Sequence, residues 1–150
     1  MSQFIAATLV ICQNQQDQIL MVQEGKEHVK GKWDFPGGGI EHNETIPQAA
    51  KREVKEETGY QVKPTGHYQT YIEKSHTTEL PVLVFLIEAK ITGKGQTNQD
   101  FENEILDHQF YQVEEIKNLP LRKKGRTQMI KDIENKDPKP LNRLQDLRNN

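Results

Sequence analysis

The stretch from Ile46 to Thr58 carries every local signal of one helix, and that helix constrains the fold more than any other feature. Thr45 stands where an N-cap hydroxyl is wanted, and Gln48, three residues later, completes a capping box. Pro47 falls in the first turn, where its missing N–H does no harm. Gly59 follows the last turn, where a left-handed residue ends a helix at low cost. Glu53, Glu56 and Glu57 are spaced by three and four, so they share a face. At about 100° per residue, Ala49 and Ala50 fall near that face, while Lys51, Lys55 and Thr58 fall on the other side. Small apolar residues belong against a sheet, so the glutamates are carried inward with them.

Such crowding is costly. Two carboxylates about 6 Å apart repel by roughly 3 kcal/mol at an effective dielectric near 20. A divalent cation turns that repulsion into binding energy. An all-oxygen donor set suits a hard ion, magnesium above all when phosphates complete its shell, with manganese as a substitute. The competing reading is a solvated helix whose glutamates pair with Arg52, Lys51 and Lys55, each pair contributing only about a few tenths of a kcal/mol. Net charge is −2, from 20 basic and 22 acidic residues, so no global field draws the chain to nucleic acid or to an acidic membrane. A polyanionic ligand must therefore be held by a local device.

The flanks decide between the two readings. Gly38 is followed after five residues by Glu44, and after seven more by Arg52-Glu53-Val54-Lys55-Glu56-Glu57-Thr58-Gly59-Tyr60. This resembles the Nudix box, G-x5-E-x7-R-E-U-x-E-E-x-G-U with U aliphatic. Every charged and glycine position is met, and Val54 fits the first aliphatic position. Tyr60 departs mildly from the second. Trp33-Asp34-Phe35-Pro36-Gly37 also looks like the family's usual entry to the box. The resemblance implies an α/β (α+β) Nudix fold, a mixed β-sheet sandwiched between helices, with the box as loop–helix–loop. It also implies a magnesium-dependent hydrolase that cleaves a diphosphate linkage.

By the same resemblance, Glu53 and Glu57 are metal ligands, and Glu56 is a third ligand or the neighbour of a second metal. Gly38 lets the backbone approach the metal and offers a carbonyl. Arg52 is structural, pairing with Glu44 or Glu56, and Gly59 ends the helix. The base that deprotonates water is Glu56, Glu53 or a carboxylate outside the box. Glu104, in Asp100-Phe101-Glu102-Asn103-Glu104-Ile105, is the favoured outside group, with Glu102 second; a solvated acidic loop is the bland reading. Markers of narrower substrate groups are absent, which leaves a MutT-like preference for a nucleoside triphosphate or related nucleotide. Two alternatives stay open: a Nudix-fold nucleotide-binding or regulatory domain without turnover, and a diphosphate isomerase of the same fold, which no cysteine near the glutamates supports.

Other residues carry weaker signals. Trp33 and Phe35 are candidates to stack on a base, with core or rim packing the preferred reading, and Lys74, Lys30, Lys32 and His76 are candidates for phosphate contact, although most such residues on polar loops simply meet water. Arg122-Lys123-Lys124-Arg126 is basic enough for a polyphosphate or RNA contact, with a solvated helix entrance the preferred reading. Cys12, the single cysteine, reads as a buried structural thiol, in keeping with a cytoplasmic protein.

The remaining chain alternates between strands and turns. Phe4 to Ile11 and Ile19 to Val22 are expected strands forming a hairpin, and Gly66 to Glu73 and Leu80 to Ala89 form another pair. Ile91 to Asn98 reads as a loop, His108 to Val113 as a strand, Glu114 to Asn118 as a helical turn, and Gly125 to Asn135 as a closing helix. No apolar run spans a bilayer and no signal peptide precedes the first strand. The whole length, 1–150, reads as one domain, with 137–150 a loosely attached tail or helix whose leucines could serve a homodimer.

Overall fold

The computed structural model describes residues 2–95 and 104–148. Strands with apolar side chains on both sides need cover on both faces, and this organises the molecule. At the centre β1 (Ile5–Gln13) and β6 (Pro81–Lys94) run parallel, in register from Ile5–Val82 to Gln13–Lys90. Along β1, Leu9 and Ile11 enter one core while Val10 and Cys12 enter the other. Along β6, Val84 and Leu86 alternate in the same way with Ile87 and Ala89. A period of two across a doubly covered sheet explains why both segments read as nearly continuous apolar runs.

The flanks complete a mixed sheet. β5 (Tyr60–Lys74) lies antiparallel to β6, and β4 (Gly37–Gly39) lies antiparallel to β1. β2 (Ile19–Glu24) pairs antiparallel with β3 (Trp33–Asp34) and with β7 (Ile105–Tyr111). On one face α1 (Ile46–Thr58) inserts Ala50 and Val54. On the other, α2 (Val113–Ile116) and α3 (Arg126–Asn135) insert Ile116, Met129 and Ile130. The fold is the mixed sheet between helices that the sequence implies.

Several expectations need correction. The first hairpin closes only at Gln13–Ile19, because the two edges of β1 are already taken by β4 and β6. Ile91–Lys94 is strand and not loop, since β5 pairs with β6 as far as Tyr60–Lys94. That long pairing runs past Pro64, and register shifts between Pro64 and Gly66 accommodate it. β7 starts at Ile105, earlier than expected. The described part of the tail bridges β5 at His67–Lys139 and forms a 3-10 turn, Leu141–Arg143, and Leu141 and Leu144 pack on the α1-side core. Among the described residues no helix is long and apolar enough to cross a membrane.

Candidate active site

The helix that presents the glutamates is fixed at both ends. Thr45 Oγ1 accepts from the Gln48 N–H while Gln48 Oε1 accepts from the Thr45 N–H, and Gly59 closes the helix at φ 78°. Ala49, Ala50, Val54 and Thr58 are its buried residues. Thr58 was expected on the opposite face; it is buried because the covered arc is wider than one stripe, and its hydroxyl donates to Val54 O at 2.7 Å. Glu53 and Glu57 lie within that arc, so their carboxylates are held near the sheet and not in bulk water.

The glycine strand lies beside them. Glu57 Oε1 accepts from the Gly37 N–H at 2.7 Å. A Cβ on Gly38 would meet the Glu53 carboxylate at 2.6–2.8 Å, so only glycine leaves this approach open. Arg52 organises the rest. Its Nε and Nη2 donate to Glu44 at 2.9 and 2.6 Å, Nη2 also donates to Gly39 O at 2.9 Å, and Nη1 donates to Glu53 at 2.8 Å and Glu56 at 3.2 Å. The arginine pairs with both glutamates that the sequence offered as alternatives, Glu44 and Glu56.

Electrostatics follow from the burial. Desolvation raises the Glu53 carboxyl above its ordinary value even though Arg52 donates to it. Desolvation raises Glu57 further, against the Gly37 N–H, with the Glu53 charge adding to the shift. Glu44 is lowered, chiefly by its hydrogen bonds from Arg52. Two partly buried carboxylates that dislike their own charge are what a hard cation would satisfy. The donor set fits such an ion: all oxygen, on one helix face, against backbone that a side chain would block. Among the described residues no three acidic, histidine or cysteine side chains already converge on one point. Glu53 and Glu56 accept from Arg52 and Glu57 from the Gly37 N–H, so each carboxylate is oriented by a donor and keeps lone pairs for a cation.

These residues line a cleft of about 820 Å³ that also takes in Glu104, Asp107 and His108. Glu104 is exposed, and its carbonyl accepts from the Gly25 N–H at 2.8 Å. Glu102 lies outside the described residues. Phe35 borders the cleft but is 2% exposed, and Trp33, 7% exposed, packs edge-on against Tyr111 within the core. Of its two readings Trp33 therefore takes the preferred one, core packing, and is set aside as a base-stacking candidate. Lys74 is exposed and does not line this cleft, whereas His76 does.

Sequence reasoning missed the polar floor. Arg126, only 3% exposed, donates to Asp34 and Glu73, and Lys123 donates to Glu73 at 3.0 Å. Arg122 pairs with the buried Glu24 at 3.0 Å. Arg122, Lys123 and Arg126 thus border the cleft while paired to acids of the sheet, and Lys124 alone of the run's basic residues is exposed, so the run is not simply a solvated helix entrance. Its acidic partners come from β2, β3 and β5, at separations no local pattern reveals.

Comparison with known proteins bears on family and fold. The NUDIX domain profile matches residues 3–133. Putative nudix hydrolase 1 of Caenorhabditis elegans is 31% identical over 135 residues, covering 82% of this chain and 32% of that protein. The 8-oxo-dGDP phosphatase NUDT18 of Mus musculus is 46% identical over 56 residues, covering 37% of this chain and 17% of its own length. The chain thus spans about a third of the length of the first relative and under a fifth of the second. A solved NUDIX hydrolase from Nitrosomonas europaea has the same fold, with a TM-score of 0.85 at 23% identity over 99% of this chain and 100% of that one.

Proposed function

The chain belongs to the NUDIX domain family, and on that premise we propose that it hydrolyses a diphosphate linkage in a nucleoside triphosphate or related nucleotide. The observation that carries this reading is the placement of Glu53 and Glu57 against the backbone of Gly37 and Gly38 inside a cleft. Glu53, Glu56 and Glu57, with the Gly38 carbonyl, would hold a divalent cation, magnesium or its substitute manganese. When bound, that ion draws charge from phosphate oxygens and lowers the pKa of a nearby water. The chain's own residues set the geometry. Arg52, braced by Glu44, fixes where the Glu53 and Glu56 carboxylates stand. The proton of the attacking water goes to a carboxylate, for which Glu104 at the cleft wall is favoured over Glu56 or Glu53.

The activity in the name of the mouse relative puts oxidised guanine nucleotides on the substrate panel. The test is a set of nucleoside di- and triphosphates, 8-oxo-dGDP included, incubated with magnesium. Phosphate release is read with and without added inorganic pyrophosphatase. Turnover of at least one compound, lost in Glu57→Gln with the fold intact, is the expected result. Unchanged turnover in Glu57→Gln removes it as a ligand. Tight binding without turnover across the whole panel would make this a nucleotide-binding domain instead.

A further inference from the structure

The segment 136–148 lies beyond the residues matched by the family profile, yet it returns to the box. Lys139 and His67 exchange backbone hydrogen bonds, each 2.8 Å, which pins the segment to β5. A Cβ on Gly66 would come within 2.8 Å of the Pro138 ring and 3.2 Å of the Lys139 carbonyl, so the segment lies close against β5 there. Leu141 and Leu144 then pack on the core that contains Ala50 and Val54 of α1. Beyond them Arg148 reaches the loop before α1. Its guanidinium donates to the carbonyl oxygen of His42 and, at 2.7 Å, to that of Glu44. Asp146 holds the guanidinium in place, accepting from Nε at 2.9 Å.

The carbonyls that Arg148 grips belong to the loop that presents Glu44. That loop is largely exposed and has few ties of its own, chiefly Glu44 N–H to Glu41 O and Glu41 N–H to the Glu44 carboxylate. Glu44 in turn accepts twice from Arg52, and Arg52 donates to Glu53 and Glu56. A continuous path therefore runs from Arg148 through the loop backbone, Glu44 and Arg52 to the carboxylates. We propose that residues 136–148 form a strap over the box and that Arg148 is a positioning residue, acting through Glu44 and Arg52 to preorganise the metal-holding face of α1. The inference rests on the metal reading above.

The full chain is titrated with Mn²⁺ alone, followed by electron paramagnetic resonance, so that no substrate need be known. Arg148 is half exposed, so Arg148→Ala should fold with an unchanged melting temperature. Its Mn²⁺ affinity should fall about three- to tenfold, less than the tenfold or more typical of a direct outer-shell partner. Arg148→Lys should recover only part of the loss, because an ammonium cannot reproduce the guanidinium fork across two carbonyls. Glu44→Gln should weaken binding more, and adding Arg148→Ala to it should cost nothing further, since both act along one path. Wild-type affinity in Arg148→Ala overturns the strap, and so does a loss that multiplies fully with that of Glu44→Gln. Glu57→Gln separates the two claims. Weakened binding there with unaffected Arg148→Ala sinks the strap alone, whereas unaffected binding in Glu57→Gln removes the metal reading and the strap together.

Discussion

Arg126 grips Asp34 through two parallel hydrogen bonds, Nε to Oδ1 at 2.5 Å and Nη2 to Oδ2 at 3.0 Å, with both residues buried. Its remaining nitrogen donates to Glu73, so one side chain of α3 ties β3 to β5 beneath the cleft. Removing the guanidinium leaves the buried Asp34 carboxylate without a cationic partner and Glu73 with Lys123 alone. Breaking a buried pair from one side typically costs about 3–5 kcal/mol, so Arg126→Met should lose that much in urea unfolding. A loss below about 1 kcal/mol would mean that water reaches Asp34 and Glu73 freely.

The same cluster should set part of the acid sensitivity. Burial by itself raises the Glu73 carboxyl, but the charges of Arg126 and Lys123 outweigh it and hold the group below its ordinary value of 4.5. A depressed carboxylate contributes stability that is complete above the unfolded pKa and is lost as pH falls through the folded one. The window therefore lies below about pH 4.5. Melting temperature followed from pH 7 downward should drop more steeply in the wild type than in Glu73→Gln over that window. Parallel curves would assign the acid transition to other carboxylates.

The three consecutive glycines should behave differently when each is made alanine. At Gly37 the new Cβ would lie 2.0 Å from Thr8 O, a backbone clash inside the β1–β4 pairing, and Gly37→Ala should fold poorly. At Gly38 it would meet the movable end of Glu53, so the fold should survive while the carboxylate is pushed aside. At Gly39 nothing lies within 4 Å, and the variant should resemble wild type. Circular dichroism and Mn²⁺ titration of the three proteins check the order. Full metal affinity in Gly38→Ala would show that Glu53 has another productive position.

The helix was legible because its signals are local. Cap, proline, glycine and glutamate spacing all lie within Thr45 to Gly59, and the observed bounds Ile46–Thr58 follow from them. The central strands were legible for the same reason, since the apolar runs of β1 and β6 are a property of neighbours, but which side chains enter which core was not, because both faces are covered. The Asp34–Arg126 pair was not, because its members stand 92 positions apart and nothing near either one marks the other. Asp34 looked like part of a motif flank, and Arg126 like one more charge in a basic run. The Arg148 contact, 104 positions from Glu44, escaped notice for the same reason. For Trp33 the sequence already favoured packing over base stacking, and the depth of β3 decides it.

Glu104 offers the sharpest test of catalysis as distinct from metal binding. It shares the cleft with Glu53, Glu56 and Glu57 but comes from the start of the β7 segment, outside the box. The bond from the Gly25 N–H to its carbonyl anchors the backbone while the side chain stays exposed. A general base typically contributes about 10² to 10⁴ in rate, so Glu104→Gln should lower kcat at least about tenfold on any nucleotide that is turned over. The amide keeps the size of the side chain and loses only its basicity, so KM and Mn²⁺ affinity should stay near wild type. The acid limb of the kcat profile against pH should also flatten. A near-wild-type kcat would pass the proton-accepting role to Glu56 or Glu53, whereas a raised KM with unchanged kcat would make Glu104 a substrate contact.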